Sequence, residues 1–192
     1  MEKGISMIET LRDFVEKANS LGLEYMITGS YAMSSYGEIR MTRDIDIVIQ
    51  LDEEKIENFV AAFDGEYYIR KDSVLRAIRS RSMFNIINQA HGGKIDCIIQ
   101  KDTAFARESF SRRFKVSVLD IEFWATTKED LMLAKLMWAK DTRSEMQIRD
   151  IANLTESEYD SNYVAKWVAG MGLADIWAEV ELWKIRRDKT EH

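Results

Sequence analysis

The spacing of apolar residues changes along the chain, and it predicts strands and helices in the first two thirds but helices alone in the last third. Helical spacing runs from residue 7 to residue 18, whereas β-branched residues crowd residues 44–51, which predicts a strand. The predicted strands are residues 24–28, 44–51, 83–88, 94–100 and 115–121, and further helices are predicted around residues 31–33, over 52–63 and within 67–82. The Gly92-Gly93 pair predicts a hairpin between the strands 83–88 and 94–100.

Residues from 126 onward follow a helical pattern only. Helix-capping residues and glycines divide this part of the chain into several helices. The predicted capping pairs are Thr126 with Glu129 and Ser144 with Gln147, Ser161 is a third predicted cap, and Gly170 and Gly172 separate the last two helices. We therefore predict an α+β fold, with a mixed β-sheet core flanked by helices in residues 1–122 and a C-terminal helical bundle in residues 123–192.

The composition is that of a protein that folds around a buried core, since 46% of the 192 residues are hydrophobic and 31% are charged. The single cysteine, Cys97, cannot form an intrachain disulfide, and no apolar stretch approaches the length of a membrane span. We therefore expect a cytoplasmic protein without a membrane partner. The net charge of −6 argues against a protein that wraps duplex DNA.

Positive charge is nevertheless concentrated in two stretches of the sequence. Such patches on an acidic protein suit a small polyanion, such as a nucleoside triphosphate, or one end of a nucleic acid. Solvated helix faces explain either stretch alone equally well. The first stretch contains Arg70, Lys71, Arg76, Arg79 and Arg81, and the second contains Lys101, Arg107, Arg112, Arg113 and Lys115.

Three aspartates stand in predicted strands that are otherwise apolar. Asp44 and Asp46 are separated by one residue, so their side chains point to the same face of a strand, about 7 Å apart. The rest of this strand is apolar on both faces, as expected of a central strand covered on two sides. Two like charges on a buried face are costly unless a cation neutralises them, and carboxylates at this spacing can bind a pair of Mg²⁺ ions.

Asp96 completes a three-aspartate cluster if its strand neighbours the strand of Asp44 and Asp46. Taken singly, each aspartate has a simpler explanation. Asp44 and Asp46 would then be a solvated strand end, and Asp96 would be the partner of an arginine.

Gly29 and Ser30 stand at a predicted junction between a strand and a helix. Glycine lets a phosphate approach the backbone, and serine can cap the helix and donate its hydroxyl. The pair is neither a Walker A loop, because the Gly-Lys element is missing, nor a dinucleotide-binding fingerprint. Alone, it is compatible with any tight connection between a strand and a helix.

Taken together, the two motifs resemble the signature of the DNA polymerase β-like nucleotidyltransferase superfamily. That signature is an apolar residue followed by Gly-Gly or Gly-Ser, a short gap, and then Asp-apolar-Asp-apolar. Here it reads ITGSYAMSSYGEIRMTRDIDIVI, beginning at Ile27. The RMTR lead-in that starts at Arg40, and the later segments TTKEDLMLAKLMWAK and SEMQIRDIANL, look like a bacterial branch related to the abortive-infection, toxin-type nucleotidyltransferases.

The resemblance implies a Mg²⁺-dependent nucleotidyltransferase, which transfers a nucleoside monophosphate from a triphosphate such as ATP to a hydroxyl acceptor. It implies that Asp44, Asp46 and Asp96 are catalytic and bind two Mg²⁺ ions, for which Mn²⁺ can substitute. It also assigns Gly29 and Ser30 to the phosphates.

Further residues are candidates for contact with the nucleotide. In toxin-like relatives a lysine after the third acid has this role, which points to Lys135, although a helix lysine whose stem covers apolar neighbours explains this residue equally well. Asp150 is a candidate ion-pair partner of either Lys135 or Lys140. Arg43 is also assigned to the nucleotide, and the candidates to neutralise transition-state charge are Arg79, Arg81, Arg112 and Arg113.

The acceptor stays open at this point, because an antibiotic, a tRNA end, a protein hydroxyl and an antitoxin-like partner are all compatible with these residues. A second copy of the chain is equally compatible as a partner. Two other functions use the same residues: a non-catalytic nucleotide- or protein-binding module on this fold, and a two-metal nuclease or phosphatase. Zinc and thiol catalysis are disfavoured, because His91 and His192 do not form a zinc pair and Cys97 is the only cysteine.

Overall fold

The computed structural model describes residues 2–37, 44–90 and 92–190, with side chains from residue 7 to residue 187. The chain divides into two compact units, Met1–Ser35 with Ile39–Thr126 and Tyr36–Glu38 with Thr127–His192. The helices of the first unit are α1 (Glu2–Ser20), α2 (Gly29–Met33), α3 (Ile56–Phe63), α4 (Lys71–Ser80) and α5 (Ala104–Ser111). Its strands are β1 (Glu24–Thr28), β2 (Asp44–Gln50), β3 (Tyr67–Tyr68), β4 (Met83–Asn88), β5 (Lys94–Ile99), β6 (Phe114–Val118) and β7 (Ile121–Ala125).

The strands form one mixed sheet in the order β3-β4-β5-β2-β1-β7-β6. The pairs β2–β5 and β1–β7 are parallel, and the other neighbouring pairs are antiparallel. The predicted hairpin between β4 and β5 is present. The mixed α/β architecture that the sequence predicts is therefore confirmed.

One face of the sheet carries the hydrophobic core of the first unit. Ile45, Ile47 and Ile49 of β2 are fully buried there, and Phe14 of α1 packs edge-on against Tyr25 of β1 with ring centroids 5.7 Å apart. The sequence predicted that β2 is covered on both faces. On its other face, however, Asp44, Asp46 and Val48 are only half-buried. The strand is thus central in the sheet but fully covered on one side alone.

The structure corrects the prediction for residues 115–121, which form parts of two strands rather than one. β6 and β7 are joined by a two-residue turn in which Leu119 and Asp120 have φ of 48° and 62°. The turn was missed because neither residue is a glycine or an asparagine, the usual signal of such a hairpin. The helix α5 was also not predicted.

The second unit contains α6 (Lys128–Thr142), α7 (Glu145–Leu154), α8 (Ser161–Gly170) and α9 (Ala174–Thr190). Two predicted caps are wrong by one residue. The side chain of Thr127 accepts the backbone N–H of Asp130, and Asp160 accepts that of Tyr163. Ser144 does lie at the start of α7, but its side chain makes no capping hydrogen bond. None of the described helices has the length and apolar character needed to cross a membrane.

Candidate active site

The register of two parallel strands places the predicted carboxylates side by side. Asp46 of β2 lies opposite Asp96 of β5, and Asp44 lies opposite Lys94. Paired residues on neighbouring strands are about 4.8 Å apart and point to the same face of the sheet. The three aspartates therefore share one face near the amino ends of β2 and β5, and Asp96 is the most buried of them, with 7% of its surface exposed.

The carboxylate of Asp96 is held by partners on both of its oxygens. Asn85, which lies opposite Asp96 on β4, donates its side-chain amide to Oδ1. The ammonium nitrogen of Lys94 lies 2.9 Å from Oδ2. The same nitrogen lies 3.3 Å from Oδ2 of Asp44. One lysine thus bridges two of the three predicted metal ligands, whereas the sequence had suggested an arginine as the alternative partner of Asp96.

The pKa of Lys94 responds to these neighbours. Partial burial lowers its pKa, but the hydrogen bond and charge of Asp96, followed by those of Asp44, outweigh burial and raise the pKa above its ordinary value. Lys94 is therefore a cation at neutral pH, and it offsets part of the repulsion among the aspartates.

Gly29 lies directly against Asp46. Its neighbour Thr28 ends β1 opposite Asp46, and Gly29 begins α2 with φ of +65°. A Cβ atom at this position would lie 2.8 Å from Cγ of Asp46 and closer still to Oδ2, which is a severe overlap. Both the backbone conformation and the space therefore require glycine here. Ser30, the next residue of α2, is half-buried.

The donor set fits Mg²⁺ in its chemistry, because this ion prefers carboxylate oxygens and Asp44, Asp46 and Asp96 share one face. Two of these carboxylates already converge on one cation, the ammonium of Lys94. Over the described ranges, no three or more Asp, Glu, His or Cys side chains are arranged as a metal-binding cluster.

Arg79 and Arg81 lie away from the aspartates. Arg79 forms a two-pronged ion pair with Glu53, which follows β2, and Arg81 donates to the backbone carbonyl of Gln100, which follows β5. Gln100 is four residues beyond Asp96, or about 13 Å along the strand direction. Because β4 runs antiparallel to β5, residues just before β4 lie at the carboxyl end of β5, opposite to the end that carries Asp96.

Arg113 is used within the first unit. Its guanidinium lies 4.2 Å from the ring centroid of Phe110 and forms a 3.0 Å ion pair with Glu24. Glu24 begins β1, whereas Thr28, at the other end of β1, lies opposite Asp46. The structure therefore does not bring Arg113 together with the aspartates.

Lys135 belongs to the second unit, where its ammonium lies 2.8 Å from Oδ2 of Asp150 and 3.1 Å from Oε1 of Gln147. Of the two lysines that the sequence suggested as partners of Asp150, the structure pairs Lys135 with it. Its contact with a nucleotide stays a prediction. Arg43 lies outside the described residues, as do His91 and the rest of the segment 38–43.

Lys94 and Asn85 are the two residues of the site that the sequence did not reveal. Lys94 is two residues before Asp96, so its side chain had to share the face of Asp96 in any strand. That spacing was a usable signal for Lys94. Asn85 had no comparable signal, since its place depends on the register between β4 and β5.

Comparison with solved structures identifies the fold. The chain superposes on the solution structure of the antibiotic-resistance factor ANT(2'')-Ia with a TM-score of 0.53 and 12% sequence identity, over 100% of this chain and 97% of that one. The fold is that of a nucleotidyltransferase. This is the fold that the resemblance of the Gly-Ser and Asp-Ile-Asp motifs implies.

Two further structures of the nucleotidyltransferase fold are similar over most of their length. A nucleotidyltransferase-like protein from Paracoccidioides brasiliensis has a TM-score of 0.49 and 16% identity, over 91% of this chain and 92% of that one. A crystal structure of ANT(2")-Ia with adenylyl-2"-tobramycin has a TM-score of 0.47 and 11% identity, over 94% and 98%. No family model matches the chain, and no curated protein matches it in sequence.

Proposed function

We propose that the protein is a Mg²⁺-dependent nucleotidyltransferase, which moves a nucleoside monophosphate from a nucleoside triphosphate to a hydroxyl group and releases pyrophosphate. Asp44, Asp46 and Asp96 are the proposed metal ligands, and Gly29 and Ser30 are the proposed contacts to the triphosphate. One observation carries the proposal: the parallel register of β2 and β5 puts Asp46 beside Asp96, with Asp44 on the same face.

In the proposed reaction the acceptor oxygen attacks the α-phosphorus of the triphosphate, and the bond from that phosphorus to pyrophosphate breaks. Bound Mg²⁺ ions would lower the pKa of the acceptor hydroxyl and neutralise the charge of the triphosphate. Asp96 is the proposed acceptor of the hydroxyl proton. Asn85 donates to Oδ1 of Asp96, and the ammonium of Lys94 lies between Oδ2 of Asp96 and Oδ2 of Asp44. The absence of a side chain at Gly29 leaves room for the carboxylate of Asp46.

Only some of the other predicted nucleotide contacts are part of the proposal. Arg43 and Lys135 stay in it as candidates. Arg79 and Arg81 are left out, because they lie at the carboxyl ends of β2 and β5, remote from the aspartates. We further propose that the protein works in the cytoplasm, as its single cysteine, Cys97, is free and buried.

A non-catalytic nucleotide- or protein-binding module is the second candidate function. The ammonium of Lys94 between Asp44 and Asp96 favours it, because a protein that neutralises its own acidic site has less need of a metal there. Release of pyrophosphate separates the two candidates, since the binding module predicts nucleotide binding without turnover.

The test is a transfer assay with each α-³²P-labelled nucleoside triphosphate, Mg²⁺ and three pools of acceptors: small molecules, RNA and proteins. Because the structural neighbour ANT(2'')-Ia is an antibiotic-resistance factor, the small molecules include antibiotics. We expect label to enter one pool together with release of pyrophosphate, and a proposed toxin-type activity would place it in RNA or protein. Release of inorganic phosphate or of cut nucleic acid would instead indicate a phosphatase or nuclease.

The matched variants are Asp46→Asn and Asp64→Asn. Asp64 is an exposed residue that follows α3, so its variant removes the same charge away from the site. Asp46→Asn is expected to lose transfer and Asp64→Asn to keep it. Equal transfer by both variants would overturn the proposed site.

A further inference from the structure

Lys94 lies at the aspartate site, although the sequence motifs did not predict it there. Its ammonium nitrogen lies between Oδ2 of Asp44 and Oδ2 of Asp96, at 3.3 Å and 2.9 Å. This arrangement follows from the fold, because Lys94 is the partner of Asp44 in the β2–β5 register and shares the face of Asp96 on its own strand. A strand lysine is thus directed at two carboxylates from two strands.

The side chains of Lys94 and Asp96 differ in exposure. The Lys94 side chain is 37% exposed, whereas the side chain of Asp96 is 10% exposed. The carboxylate of Asp96 is fixed, since it is buried and also accepts the amide of Asn85 through Oδ1. The lysine, by contrast, is a flexible four-carbon chain with open solvent beside it. The ammonium can therefore leave while the amide of Asn85 continues to hold the carboxylate of Asp96.

The contacts that Lys94 would give up are those with the proposed metal ligands. Asn85 uses Oδ1 of Asp96 and Lys94 uses Oδ2, so departure of the lysine frees Oδ2 while the amide continues to hold the other oxygen. Departure frees Oδ2 of Asp44 from the same ammonium. Both oxygens that would lose this ammonium belong to proposed metal ligands.

We propose that Lys94 is an internal counter-cation of the acidic site, which keeps Asp44 and Asp96 facing each other without metal and is displaced when a divalent cation binds. Lys94 is a positioning residue in this role, not a ligand. The inference rests on the proposed function, because it assumes that the three aspartates are a divalent-cation site. Its consequence is that the folded protein does not need the metal, and that metal affinity is weakened by the lysine.

The test compares Mn²⁺ binding to the wild-type protein and to Lys94→Met, by electron paramagnetic resonance of free Mn²⁺ in the absence of nucleotide and acceptor. Removal of a competing positive charge at this distance is expected to tighten Mn²⁺ binding roughly tenfold or more. Lys115→Met is the matched control. Lys115 is a strand lysine of the same unit that pairs with Glu122, and its variant is expected to bind Mn²⁺ as the wild type does.

Thermal unfolding provides a second readout. In EDTA, Lys94→Met is expected to melt at a lower temperature than the wild type, because its carboxylates repel one another, and saturating Mn²⁺ is expected to remove most of the difference. Lys94→Arg, which keeps the charge, is expected to show no tightening of Mn²⁺ binding. Unchanged or weaker Mn²⁺ binding by Lys94→Met would overturn the inference, and so would failure of this variant to fold at saturating Mn²⁺.

Asp46→Asn separates this inference from the proposed function. If the wild type binds Mn²⁺ and Asp46→Asn does not, the proposed metal site stands and the Lys94 variants test the inference alone. If Asp46→Asn binds Mn²⁺ as tightly as the wild type does, the proposed metal site has failed, and the inference fails with it.

Discussion

Gly29 touches the carboxylate of Asp46, and the absence of a side chain at this glycine is what leaves room for it. Gly29→Ala would push a methyl group into Asp46, in addition to placing alanine at φ of +65°. We expect the variant to lose roughly 1 kcal/mol of folding free energy through its backbone. We expect transfer to fall by about a hundredfold, because a carboxylate moved by about 1 Å no longer positions the reacting groups. Chemical denaturation and the transfer assay measure the two effects.

Gly22→Ala is the matched control for Gly29→Ala. Gly22 has nearly the same backbone conformation, with φ of +59°, but a Cβ there would meet nothing within 4 Å. This control is expected to lose similar stability and to keep full transfer. Equal transfer by the two alanine variants would show that the contact between Gly29 and Asp46 has no role in activity.

The motifs in the sequence were sufficient to place Asp44 and Asp46 on one face of a strand and Gly29 at a turn, because both features have local signals. Asp44 and Asp46 share a face by their spacing alone, and Gly29 with Ser30 lies at a change of secondary structure. The outcome for Asp96 depended on one non-local fact, that β5 is the parallel neighbour of β2.

The arginines illustrate what local signals cannot supply. Arg79 and Arg81 lie near Asp96 in sequence, but the antiparallel run of β4 and β5 carries them to the other end of the sheet. The position of a charged residue in the sequence does not show at which end of the sheet that residue will lie. The hairpin of β6 and β7 was missed for a different reason, because its turn uses Leu119 and Asp120 in the left-handed region that normally favours glycine or asparagine.

Substitutions in the turn between β6 and β7 are expected to stabilise the protein. Leu119 and Asp120 both have positive φ, which costs free energy in residues other than glycine and asparagine. The double substitution Leu119→Asn with Asp120→Gly supplies the residue types that this turn favours, and it is expected to raise the free energy of unfolding by about 0.5–1 kcal/mol. Urea denaturation checks it. Leu119→Ala, which keeps the strain, is expected to give no gain, and a loss in the double variant would contradict the assignment of strain.

The buried ion pair of Lys135 and Asp150 predicts a large loss of stability when one partner is removed. Their side chains are 6% and 3% exposed. Asp150→Ala would leave the ammonium of Lys135 buried without this carboxylate, and we expect a loss of about 3–5 kcal/mol in the free energy of unfolding. Lys140→Met, at an exposed lysine of the same helix, is expected to change stability little. Wild-type stability in Asp150→Ala would refute a structural role for the pair.

Cys97 is expected to be inert in the folded protein. Burial, with a smaller contribution from the charge of Asp96, raises the pKa of its thiol above the ordinary value. The reactive thiolate is therefore scarce at mildly alkaline pH, and the side chain is also inaccessible. Reaction with Ellman's reagent should be negligible in buffer, whereas the single thiol of each chain should react completely in concentrated guanidinium. Rapid stoichiometric reaction without denaturant would mean that β5 is not covered as the structure has it.

The proposed function requires that Asp44, Asp46 and Asp96 form one metal site on the half-buried face of the sheet. The most direct measurement is the anomalous X-ray signal of Mn²⁺ in crystals soaked with Mn²⁺ and a non-hydrolysable nucleoside triphosphate. We expect a Mn²⁺ peak within bonding distance of these three carboxylates, with the triphosphate reaching the turn at Gly29 and the ammonium of Lys94 moved away. A Mn²⁺ and nucleotide site elsewhere on the protein, with Lys94 still bridging Asp44 and Asp96, would contradict it.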